Sequence, residues 1–198
     1  MKELWERLEL WLKSNYPELL DSLNDGATDE MLINAEEKMG IKFPNDFKES
    51  MKIHNGQKGN FDYPGLIGGY ELLSLDNIVE EWQVWTNLLN DGEFNDWDEL
   101  IFNTNKVKSD QWWRTKWIPI TANGGGDHHC LDLDPTEKGS FGQVIEMWHD
   151  DENRELVGDS FKQCFCIIVE NLENGTYYIE DNDGDLEFSF WGFNRDIT

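Results

Sequence analysis

The chain of 198 residues carries 41 acidic against 16 basic residues, a formal net charge of −25. Such a surface repels phosphate backbones and anionic membranes, which argues against binding nucleic acid or a membrane and permits a basic protein partner. With 38% hydrophobic residues and ten Trp, the apolar content suffices for one domain that folds without disulfides or metals. Three Cys, an odd number, give no disulfide framework and read as reduced core thiols of a cytoplasmic protein. The start, Met1-Lys2-Glu3-Leu4-Trp5-Glu6, has neither the basic region nor the apolar run of a signal peptide. No stretch is apolar enough for a membrane span.

Residues 2–14 predict a helix, with Leu4, Trp5, Leu8, Trp11 and Leu12 on one face of a 3.6-residue period. Pro17 suits the first turn of a short second helix. Thr28 is a good N-cap for a third, followed by Asp29 and Glu30 where the helix dipole favours anions, with Gly40 at its end. Pro44 opens a fourth helix carrying Phe47, Met51 and His54, and Asn55-Gly56 stops it. His54 reads as a helix-terminal histidine half packed on the core.

After a glycine-rich loop, residues 70–73 predict a short strand. Leu75, Ile78, Val79, Trp82, Trp85 and Leu89 predict a helix with both indoles in the core. Residues 90–111 are acidic and poorly periodic yet hold Phe94, Trp97, Ile101 and Phe102, so they read as an insertion packed on the body. A strand entering at Trp117, a glycine turn and an alternating strand through Leu133 form a central hairpin. Residues 143–148 predict a strand, 149–158 a polar loop, and Ser160 or Asp159 caps a last helix with Phe161, Cys164, Phe165, Ile168 and Leu172 on its face. Two strands joined by an acidic glycine turn close the chain. Helices first and strands later predict an α+β fold, a single domain with a mainly antiparallel sheet flanked by helices.

Three stretches invite chemistry. Asn123-Gly124-Gly125-Gly126-Asp127 could cradle an anion, but it leads into a strand rather than a helix and lacks a P-loop pattern, so a hairpin turn is the better reading. Asp127-His128-His129-Cys130 looks like metal-ligand material. On a strand, however, His128 and Cys130 face one side and Asp127 and His129 the other, and no spacing elsewhere completes a site. Asp181-Asn182-Asp183-Gly184-Asp185 lacks carboxylates at the first and last positions of a calcium loop and reads as a turn. No catalytic constellation, metal site or cofactor is expected.

The central segment Trp117-Ile118-Pro119-Ile120, Asn123-Gly124-Gly125-Gly126-Asp127, Cys130-Leu131-Asp132-Leu133 resembles the hallmark of the SMI1/KNR4 family, also called the SUKH superfamily. Upstream, Ala35-Glu36, Met39-Gly40-Ile41, Phe43-Pro44, Asp46-Phe47-Lys48 and then His54-Asn55-Gly56-Gln57 resemble its helix, Leu-Pro and His-Asn-Gly-Gly/Gln pattern, with Phe43 where the family often has Leu. Order and spacing fit from about residue 28 to 172. Residues 1–25 then form an N-terminal helical extension and 90–111 an acidic insertion of one domain spanning 1–198. The resemblance implies an α+β fold without established enzymatic activity. It also implies immunity against polymorphic or contact-dependent toxins for bacterial members, and interaction hubs in cell-wall regulation for fungal ones.

The leading expectation is therefore a cytoplasmic, bacterial-type immunity protein that neutralises a basic toxin domain, such as a nuclease, by occlusion. Its contacts are placed on Asp91, Glu93, Asp96 and Trp97 in the insertion and on Asp150, Asp151 and Glu152 in the late loop. The signature positions are His54, Asn55, Gly56, Pro119, Gly124, Gly125, Gly126, Asp127, Leu131 and Asp132. The alternatives are a non-catalytic regulatory scaffold, and a ligand binder or enzyme gathering the glycine loop with His54, His128 or His129.

Overall fold

The computed structural model describes residues 1–59, 65–95 and 105–176, and by backbone alone 178–182 and 185–189. Among these residues the chain forms six helices and eight strands. Helix α1 (Lys2–Asn15) buries Leu4, Trp5, Leu8 and Leu12, and α2 (Pro17–Asp21) starts on its proline. Helix α3 (Asp29–Met39) begins where the Thr28 hydroxyl accepts the Met31 N–H at 3.2 Å. It ends at Gly40, where the Ile41 N–H returns to the Glu36 carbonyl at 3.0 Å. Helix α4 (Asn45–Met51) follows Pro44. Strand β1 (Glu71–Leu72) precedes α5 (Leu75–Asn90), which is capped by Ser74.

The predicted central hairpin is subdivided. Strand β2 (Trp117–Pro119) and β3 (Thr121–Ala122) are separated at Ile120, ahead of β4 (His128–Asp132). The Ile120 N–H donates to the His129 carbonyl at 2.8 Å, while its own carbonyl accepts the Leu73 N–H at 3.0 Å. The chain thus swivels from one ladder to another. β2 stays paired with β4, whereas β3 leaves to pair antiparallel with β1.

Strand β5 (Gln143–Met147) lies along β4, and β6 (Leu156–Gly158) forms the edge beyond it, within the stretch expected to be a loop. The main sheet is antiparallel in the order β2-β4-β5-β6. Helix α6 (Phe161–Glu173), capped by Ser160, precedes the hairpin of β7 (Tyr178–Asn182) and β8 (Asp185–Ser189).

The main sheet is covered on both faces, so every residue of β4 is buried, its two histidines included. On one face Val144 and His129 look toward Phe161, Phe165 and Ile168 of α6. Trp5 of α1 joins that layer, 4.7 Å from the Phe165 ring, and Phe47 lies edge-on to Phe161 at 5.2 Å. On the other face α5 presents Trp85, stacked on Trp113 at 5.4 Å, which meets Trp117 at 6.2 Å. Burying side chains of this size is worth roughly 1.5–3 kcal/mol each, which makes these two aromatic layers the main support of the sheet. No helix among the described residues is long and apolar enough to cross a membrane.

Candidate functional site

The upstream signature is a knot of inward hydrogen bonds. Gln57 is 1% exposed, and its Oε1 accepts the N–H of Leu66 and of Leu72, both at 2.9 Å. Its Nε2 donates to the Ser22 hydroxyl at 3.1 Å. Asn55 Oδ1 accepts the Leu75 N–H at 2.9 Å, joining the end of α4 to the start of α5. From the other side the Asn24 side chain donates to the carbonyls of Asn55 and Gln57, at 3.0 and 2.7 Å. Gly56 turns between them at φ +68°, with its Cα so close to the chain that a Cβ would lie 2.4 Å from the Leu73 carbonyl carbon. Only glycine fits there.

His54 closes the knot. Its Nδ1 is 2.9 Å from the Asn24 carbonyl, its Nε2 is 2.8 Å from Glu9 Oε1, and its ring lies against Trp5. Glu9 and Asn24 belong to the segment expected to be an extension, and nothing in their sequence context marked them as partners of the signature. The Trp5 indole N–H meanwhile donates to Ser50 at 2.8 Å, so α1 is tied both to α4 and, through Glu9 and His54, to the turn beyond its end.

The glycine turn is also self-contained. Asn123 Oδ1 accepts the N–H of Gly125 at 2.8 Å and of Asp127 at 3.1 Å, which occupies two of the turn's amides. Asn123 Nδ2 donates to Asp127 Oδ2 at 2.7 Å. Asp127 Oδ1 receives both the N–H and the Nδ1 of His149, each at 2.9 Å. Burial pushes the Asp127 carboxyl up, but these bonds from His149 and Asn123 outweigh it and hold the group below the usual range. The bond to Asp127 raises the exposed His149 in turn. Gly126 sits at φ +103° with a Cβ position 3.2 Å from His149, which lets the ring close over the turn. Gly124 is likewise at positive φ.

The two strand histidines separate as alternation requires. His128 turns to α5. Its Nδ1–H donates to the Thr121 carbonyl at 2.7 Å, and its Nε2 accepts the Trp85 indole N–H at 2.9 Å. His129 turns to α6, with Nδ1 at 2.9 Å from the Thr121 hydroxyl, which also accepts the His129 N–H at 2.8 Å. Burial lowers both, His129 to about 4. Asp132 is fully buried between Pro119-bearing β2 and β5; its carboxylate accepts the Asp134 N–H at 3.0 Å and Gln143 Nε2 at 2.8 Å. Leu131 is core. Burial raises the Cys130 thiol and pushes Cys164 up to about 12, leaving both inert; Cys166 is only partly buried, contrary to its expected core position.

His54, His128 and His129 therefore do not converge, and the pocket that the alternative of a ligand binder or enzyme required, joining them to the glycine loop, is not formed. The signature residues hold the fold. Concavity lies elsewhere. A groove of about 330 Å³ between α3 and α4 is lined by Ile33, Glu36, Lys48 and Lys52 among others. A cleft of about 50 Å³ is lined by Glu146, Trp148, Asp151, Asn153 and Glu155.

Beneath the second lies Arg154, a fully buried cation that the sequence did not point to. It donates to the carbonyls of Asp151, of Asn153 at 2.8 Å and of Trp112 at 3.1 Å, and its guanidinium stacks 4.7 Å from the Trp112 ring. Burial pulls it down to about 10, against Cys130 and Asp151, which raise it. The arginine thus staples an acidic loop from within. Of the expected contact residues, Asp150, Asp151 and Glu152 sit on this loop and Asp91 and Glu93 on the turn after α5, whereas Asp96 and Trp97 lie outside the described residues.

These features define a class: an α+β domain whose polar signature serves its own architecture while carboxylates occupy an open loop. The SMI1/KNR4 family model (SUKH-1) matches residues 26–167, and the chain belongs to that family. It is 26% identical to the glucan synthesis regulatory protein of Neurospora crassa, over 92% of this chain and 40% of the relative. It is 27% identical to the cell wall assembly regulator SMI1 of Saccharomyces cerevisiae, over 94% of this chain and 44% of the relative. It is also 27% identical to the cell wall biosynthesis/cell cycle regulator smi1 of Schizosaccharomyces pombe, over 96% and 40%. The chain thus spans less than half the length of these relatives. The expectation of a toxin-neutralising immunity protein is overturned by them, since they are fungal regulators of cell-wall synthesis. Acidity and a missing catalytic set suit either role, so neither had separated the two.

Proposed function

We propose that the chain is a non-catalytic regulatory interaction domain, acting in the cytoplasm by binding proteins of cell-wall control. Its similarity to regulators over more than nine-tenths of its length supports the reading. On this reading residues 1–198 form one SMI1/KNR4-like domain, with 1–25 as a helical extension and 90–111 as an acidic insertion. The observation that carries it is the acidic loop over Arg154. Its backbone is fixed by hydrogen bonds from the buried Arg154, while Asp150 and Glu152 stay exposed around the cleft of Trp148, Asp151 and Glu155. Rigid carboxylates beside an indole favour a basic partner segment, with charge setting association rate and choice of partner. Asp91 and Glu93, with Asp96 and Trp97, extend the proposed contact set.

The test is proximity labelling in cells, followed by binding of the recovered partner to the purified chain and to the triple variant D150K/D151K/E152K. We expect specific partners whose association slows at least tenfold in the variant and weakens with salt. Partners that bind the variant as they bind the natural chain would remove the acidic loop from the surface. Recovery of no stable protein partner would refute the domain's role.

A further inference from the structure

His128 Nε2 stands between two competing groups. The Trp85 indole N–H reaches it at 2.9 Å, and Glu81 Oε2, one turn earlier on α5, waits 3.8 Å away. The opposite ring nitrogen faces the Thr121 carbonyl, an acceptor only, so it carries the ring hydrogen. Nε2 therefore holds a lone pair, and the indole is its natural partner. A proton placed there reverses the preference. Two N–H groups cannot point at each other, whereas a carboxylate accepts from an imidazolium strongly.

We propose that Glu81, Trp85 and His128 form a proton-operated exchange: protonation of Nε2 replaces the Trp85 indole with the Glu81 carboxylate as its partner. The proton comes from solvent and stays on His128, and no covalent bond other than N–H is made. Trp85 stacks with Trp113 at 5.4 Å and with Phe94 at 6.0 Å. Losing its hydrogen bond loosens the seat of Phe94, on the turn that carries Asp91 and Glu93.

The other charged groups acting on His128 and its partners, among the described residues, are Asp127 just before its strand, His129 on it and Glu80 beside Glu81 on α5. Thr121 on β3 and Met147, paired with it on β5, bring no charge. Burial delays the proton relative to a free histidine, and the Glu81 carboxyl is itself raised by burial and by Glu80, so the exchange lies on the acid side of an ordinary histidine. That it would regulate partner contacts rests on the function proposed above. The exchange itself does not.

The experiment is an NMR titration of the full chain, following the Trp85 indole N–H and the His128 ring while strand amides report on the fold. The indole resonance is expected to move upfield in step with His128 protonation, with β4 and β5 still protected. One hydrogen bond sets the scale of the variants, about half to one pH unit. E81Q should lower the midpoint by that amount, because the protonated form loses its charged partner and keeps only a neutral acceptor, and W85F should raise it, because the neutral form loses its donor. E81Q changes a half-exposed side chain, so the fold does not depend on it. An indole resonance that ignores the His128 titration, an E81Q midpoint that is unchanged or higher, or loss of the whole fold in the same step would each overturn the proposal.

Discussion

Gln57 offers the most direct test of the claim that the signature is architectural. Replacing it with Ala removes the shared acceptor of the Leu66 and Leu72 amides and the donor to Ser22, at a position 1% exposed. The two amides lose their partner where water has little access. An unsatisfied buried amide costs about 1–3 kcal/mol, so the pair predicts roughly 2–6 kcal/mol, with about 4 kcal/mol as the central value. For a chain of this size that corresponds to a fall in Tm of roughly 8–16 °C.

Packing and hydrogen bonding are separable here. Gln57→Leu keeps most of the volume but supplies no acceptor, so it should be nearly as damaging as Gln57→Ala. Ser22→Ala leaves one donor unmet and should cost only about 1–2 kcal/mol. Urea unfolding monitored by Trp fluorescence and by far-UV circular dichroism gives each value, with coincident transitions as the check on two-state behaviour. A Gln57→Leu chain within about 1 kcal/mol of the natural protein would refute the reasoning, because the amides would then have found other partners.

Arg154 should resist conservative exchange. Lys cannot reach three carbonyls and stack on Trp112 together, so R154K and R154A should both lose about 3–5 kcal/mol in thermal or urea unfolding, and an R154K chain of natural stability would count against the staple. The two buried strand histidines make stability fall in acid. His129 takes up its proton near 4 in the folded chain but near 6.5 when unfolded, so its contribution is complete above 6.5 and is lost as pH falls toward 4, at about 1.4 kcal/mol per pH unit. His128 acts in the same direction, whereas the raised His149 stabilises below its ordinary range and loses that contribution as pH rises through its folded value. Urea midpoints from pH 4.5 to 7.5 should therefore slope less for H129Q than for the natural chain, and equal slopes would refute the assignment.

The helices were legible because their information is local. Leu4, Trp5, Leu8 and Leu12 mark a face by spacing alone, and Thr28 and Ser160 announce caps by chemistry that acts within three residues. What depends on distant chain was not legible. The break at Ile120 exists because Leu73 arrives to take its carbonyl, and no window around residue 120 contains Leu73. Strand β6 is too short to display alternation, and its neighbours Asp151, Glu152 and Asn153 read as loop. Arg154 gave no signal at all, since its partners are backbone carbonyls that any residue supplies. At the signature the residues were recognisable but their work was not. Asn55 and Gln57 look like surface polar residues until Asn24, Leu66, Leu72 and Leu75 are brought to them by the fold.

That inward orientation explains why a sound family resemblance led to the wrong biological role. A motif whose side chains bond to Leu66, Leu72 and Leu75 records how the chain folds and leaves the partner unrecorded. Any protein that needs this fold must keep it, whatever it binds. On the function proposed above, partner choice resides where side chains are free of that duty, and the loop above Arg154 meets the condition, because its backbone is fixed from beneath while Asp150 and Glu152 are exposed. On the same reading, substitutions at the signature weaken all partners together through stability, whereas substitutions on the acidic loop separate one partner from another at unchanged stability. Measuring both quantities for each variant distinguishes residues that build the domain from residues that direct it.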